Sequence, residues 1–189
     1  ELKVYESDVL DFRIIDTVVF EPSFFKRMGA INAVKKWSKN AIKEGKENSD
    51  INVIWFCVEG TSSKLFPEAI KSLSKATAIY PSVPIIVVIT KSYSKPEREK
   101  NIQMVKEVFE KQKNTKNLKG IIPVVAMIYE IDEEQFVAQE GITELIEMTY
   151  ELIPEGMQAA RKDIEAFKLN RKRSFAQTAI ATFTLSAVA

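Results

Sequence analysis

The chain has 189 residues, 46% hydrophobic and 28% charged, with 27 lysines and arginines against 26 aspartates and glutamates, for a net charge of +1. That composition suits a folded domain with a core and an appendage, excludes a disordered chain, and gives no nucleic-acid footprint over the whole length. With no histidine, imidazole bases, His-based triads and most zinc sites are excluded, which leaves carboxylates, hydroxyls, lysines or a bound ion to do any chemistry.

Residues 2–6 and 10–17 read as two strands joined by a polar turn around Ser7 and Asp8, a hairpin at a sheet edge. The period then changes. Phe24, Met28, Ile31, Val34 and Trp37 recur at three and four residues with lysines between them, so 23–44 reads as an amphipathic helix ending before Gly45. Residues 51–58 read as a third strand. The single cysteine, Cys57, lies in its apolar run and is expected to be a small core residue in a reducing compartment.

Phe66, Ala69, Ile70, Leu73 and Ala76 mark a helix running to about Ala78, and Pro81 and Pro84 bracket the turn into a strand over 85–90. Ser94-Lys-Pro-Glu97 has the spacing of a capping box with proline in the first turn, so a helix carrying Ile102, Val105 and Phe109 is expected from there to about Asn114. Residues 121–127 read as a further strand, and Gly141-Ile-Thr-Glu-Leu-Ile opens a helix through Ile153. Strands alternating with helices of this length predict an α/β fold: a three-layer, doubly wound, mostly parallel sheet over residues 1–153.

Pro154-Glu-Gly156 is expected to close that unit, with 154–189 a helical and partly hydrophobic extension. Met157, Ala160, Ile164 and Phe167 return to helical spacing. The basic cluster Arg171-Lys-Arg173 then leads into 175–189, fifteen residues without a charge. This is shorter than the roughly 18 residues of a spanning helix. It reads either as the front of a longer membrane segment with the basic cluster on the cytoplasmic side, or as a small-residue helix packed on another chain or on its own domain. No secretory signal opens the sequence, and the expected location is cytoplasmic, with membrane association through the extension.

Three of the strands are continuous apolar runs that end in small polar motifs: Phe12-Arg-Ile-Ile-Asp16-Thr17, Ile85-Ile-Val-Val-Ile-Thr90-Lys91-Ser92 and Ile121-Ile-Pro-Val-Val-Ala126-Met127. Continuous runs are how strands buried on both faces of a parallel sheet read, and function in such sheets gathers at the strands' carboxyl ends. In order and spacing the three motifs resemble the later motifs of a P-loop GTPase of the Era-like kind (TRAFAC class). The hydrophobic extension is similar to that of bacterial members.

The resemblance implies GTP and GDP as ligands and Mg²⁺ as cofactor, held through water by Asp16. It gives Thr17 to Phe20 the switch segment, with Val18 at the usual proline and Val19 at the glycine whose N–H meets the terminal phosphate. Thr90 and Lys91 would serve the base, Tyr93 stands where an aspartate reads guanine, and the N–H of Ala126 would meet the base carbonyl. It assigns no catalytic residue: Phe20 stands where Ras-type enzymes carry a water-orienting glutamine. The phosphate loop Gly-x-x-x-x-Gly-Lys-Ser/Thr does not occur in the 189 residues. Either the sequence begins after the first strand and its loop, which the opening at an edge hairpin favours, or the protein never had them. The implied function is a GTPase-type switch coupling nucleotide state to a membrane or protein partner through 175–189. The alternatives are a nucleotide-free interaction scaffold and a different doubly wound domain, flavodoxin-like or, more weakly, receiver-like, for whose acidic cluster only Asp16 qualifies.

Overall fold

Strands β1 (Lys3–Ser7) and β2 (Leu10–Asp16) form an antiparallel hairpin, with Lys3 opposite Asp16 and a register shift between Tyr5 and Ser7. The computed structural model describes residues 3–16, 50–61, 66–76, 78–112 and 117–187, together with Asn32, Lys36, Lys39, Asn40 and Lys43, but not the side chains of 66, 72, 74–76 and 179–187. Those five isolated residues are helical and exposed, spaced as the solvent side of the expected 23–44 helix. The apolar positions of that helix lie outside the described residues.

After the hairpin come β3 (Ile54–Glu59), α1 (Phe66–Ala76), β4 (Ile85–Thr90), α2 (Lys95–Glu110) and β5 (Leu118–Pro123). They are followed by the short strands β6 (Tyr129–Glu130) and β7 (Phe136–Val137) and by α3 (Ile142–Ala187). β3, β4 and β5 make a parallel sheet in that order, with Phe56 opposite Val87 and Val87 opposite Ile121. Every residue of β4 from Ile85 to Ile89 is buried. On one face Phe56, Val58, Val87 and Ile89 pack with Ile70 and Leu73 of α1 and with Val105 and Phe109 of α2. On the other, Ile86, Val88 and Ile122 pack with Leu145 near the start of α3. This is an α/β fold in three layers, helices on both faces of a parallel sheet.

Four expectations change. β2 is only half-buried rather than dry on both faces, because no ladder joins the hairpin to the parallel sheet among the described residues. The hairpin is held instead by side chains: Phe12 meets Trp55 and Tyr150 edge to face at 5.9 and 5.4 Å, and the Asp11 N–H donates to the Tyr150 hydroxyl. The strand expected over 121–127 is Leu118–Pro123, at the edge of the described sheet, where a proline is tolerated; the next residue, Val124, still donates to Ile89 before the chain turns away. Ser94 caps α2 without a side-chain bond. Its carbonyl takes the N–H groups of Glu97 and Arg98.

The fourth change is the helix expected to stop at Ile153, which continues through Pro154 to Ala187. A proline inside a helix removes one backbone bond and crowds the preceding turn. Here packing on both sides holds the helix together. Beyond the proline, Ala159, Ala160 and Ile164 are buried against Ile79, Tyr80 and Val83, at the amino end of β4. Asp163, itself buried, accepts from both the backbone N–H and the hydroxyl of Ser82 at 2.8 and 2.9 Å. Gly156 lies against the backbone of Asn52, so closely that a Cβ there would collide with its carbonyl.

That contact reverses the usual helix rule. Gly→Ala inside a helix is worth up to about 1 kcal/mol of added stability, but Gly156→Ala is expected to destabilise by about 2 kcal/mol through the forced separation from Asn52. Urea denaturation of the two proteins measures it, and a rise in midpoint would contradict the contact.

Candidate functional site

The carboxyl ends of the strands carry the polar residues. β2 runs beside β3 in the same sense: Phe12 touches Trp55, and four residues later Asp16 is near enough for its charge to act on Cys57. Asp16, Glu59, Thr90 and Lys91 therefore leave the strands at one end of the molecule. Ala126 follows at the same end, three residues past β5.

Lys91 has a backbone φ of +53°, left-handed although it is not glycine. Three bonds around it fix this. The Ser92 hydroxyl donates to the Ile89 carbonyl at 2.7 Å, the Ser92 N–H to Val124 at 3.2 Å, and the Tyr93 N–H to the Lys91 carbonyl at 2.9 Å. The Lys91 ammonium reaches the Glu59 carboxylate at 2.7 Å, and the Thr61 hydroxyl donates to the same oxygen at 2.8 Å. The bond from Lys91 holds the Glu59 carboxyl below its ordinary range, with Thr61 adding to it, and Glu59 in turn holds the Lys91 ammonium above its own. The Thr90 hydroxyl is committed to the Val58 carbonyl at 3.2 Å, so it ties the ends of β3 and β4 together.

Thr17 and Val19 lie outside the described residues. Ala126 is exposed, and its carbonyl accepts from the Gln139 side chain at 2.7 Å. Tyr93 stacks on Tyr129 with ring centroids 4.0 Å apart and planes 14° from parallel. Cys57, expected in the core, is exposed. Surrounding atoms nonetheless crowd it enough to push its thiol up to about 11, burial being the larger cause and the charge of Asp16 the smaller. Solvent reaches the residue, so it is not sealed in the interior.

The sequence reading missed the residues that brace the Lys91 turn. Arg98, with its side chain only 13% exposed, donates through Nε to the Ser92 carbonyl at 2.7 Å and through Nη1 to Glu140 at 2.8 Å. Its Nη2 is buried without a partner among the described residues. The buried Asn101 donates to the Gly60 carbonyl at 3.0 Å. The signal was in the helix start: α2 opening at Lys95 places Arg98 in its first turn and Asn101 one turn on, both facing the loops that follow β3 and β4. With Gly60, Thr61, Lys91 and Tyr93 these residues line a cavity of about 90 Å³, room for waters and far below the 300 Å³ or more of a small-molecule site.

Among the described residues no three Cys, Asp or Glu side chains gather to hold a metal. A lone carboxylate such as Asp16 fits a magnesium ion that keeps its waters and takes phosphate oxygens, and does not fit an ion caged by protein. Among those residues, too, no helix is long and apolar enough to cross a membrane. Comparison of the chain with protein-family models, with curated proteins and with solved structures gives no match.

Two outcomes follow from the bracing. Arg98→Ala removes two charge-assisted bonds and is expected to cost about 2 kcal/mol in a urea melt. Glu59, Glu140 and Glu155 are each held below 4.5 by a hydrogen bond from Lys91, Arg98 and Lys119 respectively. A carboxyl whose value is lowered by folding contributes fully above its unfolded value and loses that contribution as pH falls through the lowered one. Stability should therefore drop as pH falls below about 4.5, and the triple Glu→Gln variant should show a flatter acid limb when unfolding is measured between about pH 6 and 3.

Proposed function

We propose that this chain is the nucleotide-responsive domain of a GTPase-type switch of the Era-like kind. The observation that supports it most is Lys91, a lysine in a left-handed backbone position at the carboxyl end of the central buried strand. Glycine would occupy that position without strain, and strain retained around a charged side chain is a mark of functional sites.

In this reading Asp16 holds Mg²⁺ through a water, and Thr17 with Val19 forms the segment that senses the terminal phosphate. The Lys91 stem lies along the base, Thr90 fixes the strand end from which Lys91 projects, and the Ala126 N–H meets the base. The ion would neutralise charge on the phosphates when bound. Phosphate grip comes from a further strand and its glycine-rich loop, encoded upstream of residue 1 and inserted between β2 and β3. The lack, among the described residues, of a ladder between those two strands, and the exposure of Cys57, support that insertion. The extension after Arg173 would carry the state of the switch to a membrane or protein partner.

A second reading, a nucleotide-free interaction scaffold, is favoured by one observation. Tyr93 stands where guanine would be read, and its ring already lies against Tyr129.

Fluorescent GTP and ATP analogues titrated against the complete protein, with and without Mg²⁺, separate the two. The switch reading expects saturable binding strengthened by Mg²⁺. Lys91→Gly should weaken it at least tenfold, a loss of about 1.4 kcal/mol or more of binding energy, while thermal stability is unchanged or raised. Indifference to both nucleotides would leave the scaffold reading in place, and a preference for ATP would show that Tyr93 has removed guanine selection.

A further inference from the structure

The overall charge of +1 conceals a division of the chain. From Gly120 to Ala160 there are nine acidic residues and no basic one, whereas Arg161 to Arg173 holds six basic residues and two acidic. The acidic block includes the β6–β7 hairpin, which is unusually apolar for an exposed element. Met127, Ile128 and Phe136 are 79%, 63% and 64% exposed, with Ile131 beside them. The acidic side chains of Glu130, Glu133 and Glu134 surround these and are exposed as well.

The hairpin is nevertheless well held. Two-residue strands do not stand alone, but the carboxylate of Asp132 accepts from the N–H groups of Glu134 and Gln135 at 2.9 and 2.8 Å, closing the turn. Tyr129 stacks on Tyr93, and Val125 bridges to Glu140 at the base. A preformed apolar surface rimmed by one sign of charge fits a partner that is apolar and basic.

One segment of this chain has that chemistry. On α3, Lys168, Arg171, Lys172 and Arg173 are exposed around Leu169, and Phe175 is 80% exposed. Within one copy the two surfaces cannot meet. The hairpin precedes the first residue of the helix, and at 1.5 Å per residue Arg171 lies about 44 Å along it from Ile142. Two copies with antiparallel α3 helices bring each hairpin onto the other's basic segment, and both contacts form at once. The two-fold axis would cross the helices at about residue 156, midway between the two surfaces, next to the exposed Met157.

We propose that the β6–β7 hairpin is the docking surface for residues 168–175 of a second copy, giving a closed two-fold dimer. This goes beyond the nucleotide reading and does not rest on it. Light scattering of the chain at low salt should give twice 21.5 kDa. High salt should weaken the dimer, because rim charges are screened.

Reversing the hairpin (E130K, E133K, E134K) or the helix (R171E, K172E, R173E) should each give monomers, and combining the two sets should restore the dimer. Asp132 is left intact because it closes the turn. Circular dichroism checks that each variant is folded, and Phe136→Ser, which leaves the charges alone, should also be monomeric. A monomer at low salt, a dimer unaffected by either set, or a combined variant that stays monomeric would overturn the proposal. So would a monomer whose basic segment instead binds anionic vesicles.

Discussion

Everything at the polar end of the molecule depends on β4 being dry on both faces. Ile86, Val87 and Ile89 have no measurable exposure, and a strand so enclosed can place polar side chains only past its end. The chain leaves the sheet immediately after Thr90, and Ser92, itself buried, has to satisfy its hydroxyl and N–H on Ile89 and Val124 at once. Those two bonds leave Lys91 little choice of backbone conformation. Its left-handed φ, its reach to Glu59, and the depressed carboxyl there follow from the buried residues on either side, Ile89 and Ser92, rather than from the ion pair. An exposed pair of this kind contributes too little to bend a backbone.

The same weighing of magnitudes explains α3. Proline inside a helix costs roughly 3 kcal/mol, and each well-buried aliphatic side chain returns about 1.5–3 kcal/mol. Leu145 on the sheet, and Ala159, Ala160 and Ile164 on the segment before β4, lie on opposite sides of Pro154. A helix broken at Pro154 would forfeit one of these two sets, together with the buried acceptor Asp163 and its two bonds from Ser82. Tertiary contact therefore outweighs local propensity. Gly156 is part of the same solution, since only a residue without a Cβ lets the helix pass Asn52 at backbone distance.

This division also separates what the sequence made legible from what it did not. Periodicity found α1 and α2 and the strand over 85–90, because core residues such as Ile70, Val105 and Phe109 declare a buried face through spacing alone. It found the order β3, α1, β4, α2, β5, α3, and hence the layering, for the same reason, but not the β6–β7 hairpin. It failed where a neighbour decides the outcome. Pro154 reads as a stop in isolation. Cys57 reads as core because its strand neighbours Phe56 and Val58 are, although it faces the opposite side. Ser94 reads as half of a capping box, but its carbonyl rather than its hydroxyl meets the helix. Of the candidate residues, Thr90 and Lys91 were legible as strand-end groups. Glu59 and Arg98, which hold them, are single charges whose partners lie 32 and 42 positions away in sequence, and no local pattern reports such a pairing.

The half-burial of β2 and the crowded but wetted Cys57 are two views of one arrangement. Two strands running the same way meet at Phe12 against Trp55 and lack a ladder among the described residues. Backbone N–H and C=O groups along such edges are a standing template for another strand. One parallel strand between them would satisfy both edges and convert two sheets into one of six strands, in the order β1, β2, inserted strand, β3, β4, β5. Running with its neighbours, it would end between Asp16 and Glu59. A loop emerging there would lie one strand away from Asp16 and two from Lys91, at the carboxyl edge where parallel sheets bind their ligands. The proposed phosphate loop would therefore stand beside Asp16, at the end of the molecule where Glu59 and Lys91 already lie.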